Sequence, residues 1–278
     1  IGGGIGIELG KRNERLTVLR LLKDNPAEKV GLLVGDIVTA VNDESVEGLS
    51  VEETVVKIRG DVGTTVKITV LRADGVKEFT ITRAEVNNPS VYSSVVDGIG
   101  ILTITRFDDN TASLARSAAQ DFKTQGVRAV ILDLRGNGGG YITAAQDVAS
   151  LWLNNEVVVS ERTNGKVVEE LRTGRSPILG GMPTVVLVNA SSASASEIVA
   201  GALQDHGAAK LVGEQTFGKG SVQKLINLPE GAELKVTIAR WYTPKGANIS
   251  KQGITPDEQV EMNAEDFGAG RDPQLDAA

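Results

Sequence analysis

The sequence predicts two units: a small β-rich unit first, then an α/β unit built on a mainly parallel central sheet. Three observations carry this. Asp74-Gly75 sits between the alternating runs TTVKITVLR and VKEFTITR, a strong hairpin signal. From Ile99, a strand (ILTITRF), a helix over Thr111–Gln125 and a fully apolar strand (AVILDL) follow in an order that suggests a right-handed crossover. Twice, an apolar strand runs into a turn of small residues and then a helix, at RGNGGGY and at VNASSASASEIVAGALQ. At 278 residues the chain is long enough for both cores.

Composition narrows the function classes. The formal net charge is -7 with no basic block, which argues against a nucleic-acid partner. No apolar run approaches the roughly 18 residues of a membrane helix. Cysteine is absent, which removes disulfides, thiolate metal sites and a cysteine nucleophile. The sequence starts at Ile1 with no charged-then-apolar leader, so a processed or trimmed form without its targeting segment is expected.

In the first unit, GGGIGIELG leaves backbone N–H groups unobstructed ahead of Ile5, Ile7 and Leu9, a loop able to hold a carboxylate. No G-x-G-x-x-G register fits, and the following LTVLRLL reads as a strand, so a dinucleotide fingerprint is disfavoured. NPAEKVG reads as a short helix ending at Gly31, LLVGDIVTAVNDESV as a turn and a strand, and Ser50 caps a helix ending at Gly60. The segments GIGIEL, NPAEKVGLLVGDIVTAVND and VVKIRGDVGTTVKITVLR, in this order, resemble a PDZ domain of bacterial proteases. The resemblance implies that N–H groups around Gly4, Ile5, Gly6 and Ile7 bind a peptide's C-terminal carboxylate, the peptide adding as a β-strand. A PDZ unit that only docks the next domain is the alternative. Arg59, before the helix-ending glycine, suits the helix dipole; it also lies in a motif typical of these units and is a candidate link between PDZ and catalytic domain.

The expected boundaries are a PDZ domain over 1–84, a linker over 85–92 around Pro89, a core over 93–263 and an uninformative tail over 264–278. Within the core a helix over 143–153 follows RGNGGGY, whose N–H groups suit a phosphate, an oxyanion or simply a tight turn. A β-rich excursion (VVVSERTNGKVVEELRTG), the strand TVVLVN with its hydroxyl cluster, KLVGE, SVQKLINL and LKVTIARWYTP follow. A serine at the hydroxyl cluster is either a nucleophile near a helix dipole or a plain helix cap.

Histidine decides between chemistries. The chain has one, His206, twelve residues beyond Ser194. On one helix that separation is roughly 18 Å, too far to take a proton from Ser194. A lysine held neutral by burial can replace histidine, and Lys219, between Gly218 and Gly220, is the candidate, its side chain expected to turn inward. GEQTFGKG nearly matches a phosphate-binding loop, but Gly220 replaces the magnesium-binding hydroxyl and a strand, not a helix, is expected next.

LDLRGNGGGY, VNASSASASEIVAGALQD, GEQTFGKGSVQ and RWYTPKGANISKQGITPD, downstream of the PDZ-like unit, together resemble the C-terminal processing, or tail-specific, serine peptidases over nearly the whole chain. The resemblance implies a crotonase/ClpP-like α/β core, a Ser-Lys dyad of Ser194 and Lys219, a supporting Gln223, and oxyanion donors at Ala195 and Gly139. Glycine stands at 138, where the family more usually has proline. It further implies polypeptide substrates with exposed C-terminal tails, no cofactor or metal, and an extracytoplasmic setting (periplasm, cell envelope or plastid lumen), and leaves homo-oligomerisation open. A catalytically silent PDZ peptide-binding scaffold is the alternative function. Ser192 and Ser196 are the neighbours to weigh against Ser194.

Overall fold

The computed structural model describes residues 2–227, 233–263, 265–266 and 271–278. The chain divides into two compact units, Ile1–Pro89 and Ser90–Ala278.

The first unit is an antiparallel sheet with two short helices. Its elements are β1 (Ile7–Arg12), β2 (Arg15–Leu21), α1 (Pro26–Lys29), β3 (Ile37–Val41), β4 (Glu44–Ser45), α2 (Val51–Ile58), β5 (Thr65–Arg72) and β6 (Gly75–Thr82). Strand order is β1-β2-β3-β5-β6, with β4 beside β3, so β1 is an edge strand. Alternation in β5 turns Val66, Ile68 and Val70 inward, where they meet Ile5, Val18 and Ile81. The β5–β6 hairpin forms with Arg72 opposite Gly75. Asp36, with a side chain 1% exposed, takes a two-pronged grip from Arg72 at 2.7 and 2.8 Å, which ties β5 to the turn before β3.

Helix α2 is fixed at both ends. Ser50 and Glu53 form a reciprocal cap, Glu53 N–H donating to Ser50 Oγ at 3.1 Å and Ser50 N–H to Glu53 Oε2 at 2.7 Å. At the other end, where a helix leaves carbonyls without partners, the buried Arg83 donates to Ile58 O at 2.7 Å and to Thr65 O at 2.8 Å.

The second unit contains β7 (Val91–Val96), β8 (Ile99–Ile104), α3 (Thr111–Gln125), β9 (Ala129–Asp133), α4 (Ile142–Ala149), β10 (Val157–Thr163), β11 (Lys166–Arg172), β12 (Thr184–Val188), α5 (Ala195–Asp205), β13 (Lys210–Gly213), β14 (Ser221–Asn227), β15 (Glu233–Tyr242), β16 (Glu258–Gln259) and α6 (Pro273–Ala277). One sheet runs β7-β8-β9-β12-β13-β16, with parallel pairs throughout except the β7–β8 hairpin. A second, antiparallel sheet runs β11-β10-β15-β14. The two faces of the first sheet bury different sets. Val130, Leu132, Val186 and Val188 join the core that contains the buried residues of α3, α4 and α5, while Ile131, Leu187 and Val212 face the other way and pack with Leu275 and Ala278.

Three readings from sequence change. Val91 and Tyr92, placed in the linker, open strand β7, whose hairpin turns at Asp97-Gly98 with φ of 49° and 76°. The helix expected over 143–153 runs Ile142–Ala149; beyond it Leu151 and Trp152 donate N–H bonds back three residues, and Ser150 Oγ accepts from Gly174 N–H. The tail contains α6, begun by Asp272, which accepts from Leu275 N–H at 2.9 Å, and by Pro273.

Replacing Arg83 by Ala strips the buried Ile58 carbonyl and the partly buried Thr65 carbonyl of their donor. Urea unfolding followed through amide exchange in β5 and β6 is expected to show a loss of about 2–3 kcal/mol in the first unit. An unchanged midpoint would contradict the capping role.

Candidate active site

The turn between β12 and α5 carries three serines and the start of α5 a fourth, Ser196, and hydrogen bonds sort them. Ser192, fully buried, donates from Oγ to Leu134 O at 2.8 Å; Ser196, also fully buried, donates to Asn137 O at 2.8 Å. Both hydroxyls thus fasten this turn to the glycine turn after β9. Ser191 is exposed, and Ser194 is partly exposed. Ser194 has φ 55° and ψ -114°, a backbone state that costs a residue with a side chain on the order of 1–3 kcal/mol. Strain of this kind persists where the surroundings over-determine it.

The surroundings do so through the glycine turn. Asn137 is fully buried; its carbonyl accepts from Ala193 N–H at 3.0 Å and from Ser196 Oγ, and its Nδ2 donates to Ile104 O at 2.8 Å. Gly139, at φ 100°, lies so close that an added Cβ would stand 2.8 Å from Ala193 O and from Ser194 Cβ. Only glycine fits there. Of the two expected oxyanion donors, Ala195 N–H is in the first turn of α5, where helical N–H groups lack an intrahelical acceptor. Gly139 N–H donates to Asn137 Oδ1 at 2.9 Å, so it borders Ser194 with its proton already engaged.

Glu197 is the residue that sequence reasoning missed. Its carboxylate is fully buried and takes four hydrogen bonds. Oε2 accepts from Ser194 N–H at 2.8 Å and Lys219 N–H at 2.9 Å; Oε1 accepts from Gly218 N–H and Thr216 Oγ, each at 2.6 Å. One buried anion therefore holds the serine turn and the lysine loop together. Phe217 N–H adds a bond to Ser192 O at 3.0 Å, and Lys251 N–H reaches Gly218 O at 2.7 Å. The spacing Ser194-x-x-Glu197 is that of a capping box, a signal that was available in the sequence.

Lys219 itself is exposed, against the expectation of an inward, buried side chain. In its loop Phe217 and Lys219 are exposed while Thr216 and Gly220 are buried, and the loop's bonds to Glu197 come from Gly218 N–H, Lys219 N–H and Thr216 Oγ. Strand β14 follows, so the loop lacks the helix N-terminus that a phosphate site requires. Gln223 lies in β14 opposite Thr237, and its side chain is outside the described residues. His206 caps the far end of α5, with Nε2 2.7 Å from Val157 O. Two aromatic residues flank the site with little cover, Tyr141 at 56% and Phe217 at 64% exposure.

In the first unit, a groove of about 1050 Å³ runs along Gly4, Ile5, Gly6 and Ile7 and is closed on its other side by Val55, Ile58 and Arg59. It follows the free edge of β1, beside α2. Gly4 N–H already donates to Ala84 O at 2.9 Å, so among these four residues it does not offer a free donor to a ligand. Arg59 is exposed.

Residues 98–260 match the model of peptidase family S41, and residues 3–82 match that of the PDZ domain. The chain belongs to peptidase family S41, a family of serine-type peptidases, and carries a PDZ domain ahead of its core. It is 39% identical over 259 residues to a probable CtpA-like serine protease of Staphylococcus haemolyticus, covering 92% of this chain and 52% of the relative. It is 35% identical over 260 residues to one from Staphylococcus aureus, covering 93% and 52%. The chain thus spans about half the length of these relatives. Among solved structures it is similar to a photosystem II D1 C-terminal processing protease, with a TM-score of 0.61 at 30% identity, covering 94% of this chain and 72% of that one. A putative S41 protease from Bacteroides fragilis shares the fold, with a TM-score of 0.66 at 19% identity over 96% and 77% of the two chains.

Glu197→Gln places an amide NH2 against one pair of these donors. Amide exchange at Gly218 and Lys219 is expected to rise by about tenfold or more, with a loss of roughly 2 kcal/mol in unfolding free energy. Wild-type protection in this variant would contradict the role given to Glu197.

Proposed function

We propose that the chain is a serine endopeptidase that recognises C-terminal tails through its PDZ domain and cleaves peptide bonds with a dyad of Ser194 and Lys219. The observation that carries the reading is the shared carboxylate: Ser194 and Lys219 donate their backbone N–H groups to the same oxygen of Glu197. Of the four neighbouring serines, Ser194 alone combines partial exposure with a strained backbone, while Ser192 and Ser196 are spent on the turn.

The chemistry is acyl transfer. Ser194 Oγ attacks the substrate carbonyl and passes its proton to the amine of Lys219. The oxyanion of the tetrahedral intermediate takes N–H bonds from Ala195 and from the glycine turn at Gly139, whose N–H exchanges Asn137 for substrate. Collapse breaks the C–N bond, the lysine ammonium protonates the leaving amine, and water then hydrolyses the acyl-enzyme. Gln223 holds the amine through a hydrogen bond. A peptide bound at this site covers the exposed Lys219 and excludes water from it.

The PDZ groove takes the tail as an added strand along β1, its carboxylate received by N–H groups at Ile5, Gly6 and Ile7. Arg59, on the rim of that groove, couples tail binding to the core. The core belongs to the crotonase/ClpP-like group of folds. The setting is extracytoplasmic, in keeping with what the family resemblance implies.

Ser194→Ala and Lys219→Ala are each expected to lower cleavage of a peptide substrate by at least about 10³-fold, with unfolding midpoints unchanged. Mass spectrometry of products checks this, and comparing free with amidated substrate C-termini checks the PDZ contribution. Substantial cleavage by either variant would contradict the dyad. Tail binding without any turnover by the wild type would leave a peptide-binding scaffold.

A further inference from the structure

We infer that residues 272–278 are a positioning element for the glycine turn of the active site, acting through Asp272 on Arg135. This rests on the peptidase reading above. Arg135 opens the turn that leads to Gly139, and its guanidinium is held from two sides. Nε and Nη2 donate to the two oxygens of Asp133 at 3.0 and 2.7 Å; Nη1 donates to Asp272 Oδ1 at 2.8 Å and to Gln274 Oε1 at 3.1 Å. The Arg135 and Asp133 side chains are only 16% and 15% exposed, so these charge-assisted bonds lose little to solvent screening. Burial works against the charge on Arg135, but the carboxylates outweigh it and raise its pKa. Burial likewise works against the Asp272 carboxylate, but Arg135 and the N–H groups of α6 hold its pKa below the usual range.

Asp133 transmits the restraint to the backbone. Its Oδ1 also accepts the N–H of Arg135 at 3.0 Å, so the carboxylate that orients the guanidinium also fixes the residue from which the turn departs. The next residue, Gly136, donates to Asn189 Oδ1 at 3.0 Å, which joins the turn to the serine loop.

Residues 272–278 are anchored by contacts of their own, so Asp272 is presented rather than tethered by Arg135 alone. Asp272 caps α6, and Gln274, 1% exposed, donates from Nε2 to Val260 O at 2.8 Å. Leu275 and Ala278 cover the cluster of Ile131, Leu187 and Val212. Arg135 and Asp272 are 137 residues apart in sequence, so this restraint reaches the turn from outside the elements that build it.

Misplacing an oxyanion donor by about 1 Å can cost on the order of 10²-fold in rate while substrate still binds. Asp272→Asn is therefore expected to lower kcat about 10- to 100-fold with KM within about threefold, and to raise amide exchange at Gly136 and Gly139 by about tenfold. Asp272→Glu should recover part of the rate. Asp276→Asn removes the same charge from an exposed position of α6 that does not touch Arg135, and both readouts should stay at wild-type values. Wild-type kcat and exchange in Asp272→Asn would overturn the inference. So would an equal loss in Asp276→Asn, because it would reduce the effect to general charge or folding. If the wild type cleaves no peptide, the peptidase reading fails, and the exchange at Gly136 and Gly139 still decides whether Asp272 positions the turn.

Discussion

A buried carboxylate, Glu197, with no ion pair among the described residues, is the interaction on which the site depends. Taking an anion out of water costs several kcal/mol unless its lone pairs are filled. Here they are filled by Ser194, Thr216, Gly218 and Lys219, donors from two segments some twenty residues apart. The penalty for losing any one donor is what makes the arrangement specific. The lysine loop cannot drift from the serine turn without exposing an unsatisfied charge. The same bonds hold Ser194 at a backbone angle that a serine would otherwise avoid.

Around that carboxylate the second unit places two turns against each other. Each leaves the end of a parallel strand, β9 or β12, and these strands pair in register from Val130 with Thr184 to Asp133 with Leu187. Parallel neighbours deliver their following turns to the same end of the sheet, which is why α/β folds gather chemistry there. The Asn137 carbonyl then stitches the turns side by side by accepting from Ala193 N–H and Ser196 Oγ, with Gly139 providing the close approach. The first unit is built on a different logic: an antiparallel sheet with a free edge at β1 and a groove along it, suited to capturing an extended chain.

Much of this was legible because local chemistry and tertiary structure agree. Asp74-Gly75 marked the β5–β6 hairpin, alternation marked β5, and AVILDL marked a fully apolar strand. The solitary His206, at the wrong end of α5, pointed from histidine to lysine, and the serine turn fell between strand and helix as its small residues suggested. What escaped depended on partners distant in sequence. Glu197 reads locally as a cap, and nothing near it reveals that Thr216, Gly218 and Lys219 will share it. Nearby Pro89 drew Val91 and Tyr92, the start of an edge strand, into the linker, although Asp97-Gly98 announced the hairpin. Asp272-Pro273 is a helix-start signal, but its pairing with Arg135 exists only in the folded chain. The burial expected of Lys219 was inferred from chemistry, and the residue stands exposed.

On the mechanism we propose, this assembly makes Ser194, among its serine neighbours, the nucleophile. The most direct measurement is tandem mass spectrometry of the protein after treatment with a fluorophosphonate, in the wild type and in Glu197→Gln. A single adduct on Ser194, formed far more slowly in the variant, is the predicted result. An adduct on Ser191, Ser192 or Ser196, or equal labelling rates in the two proteins, would contradict it.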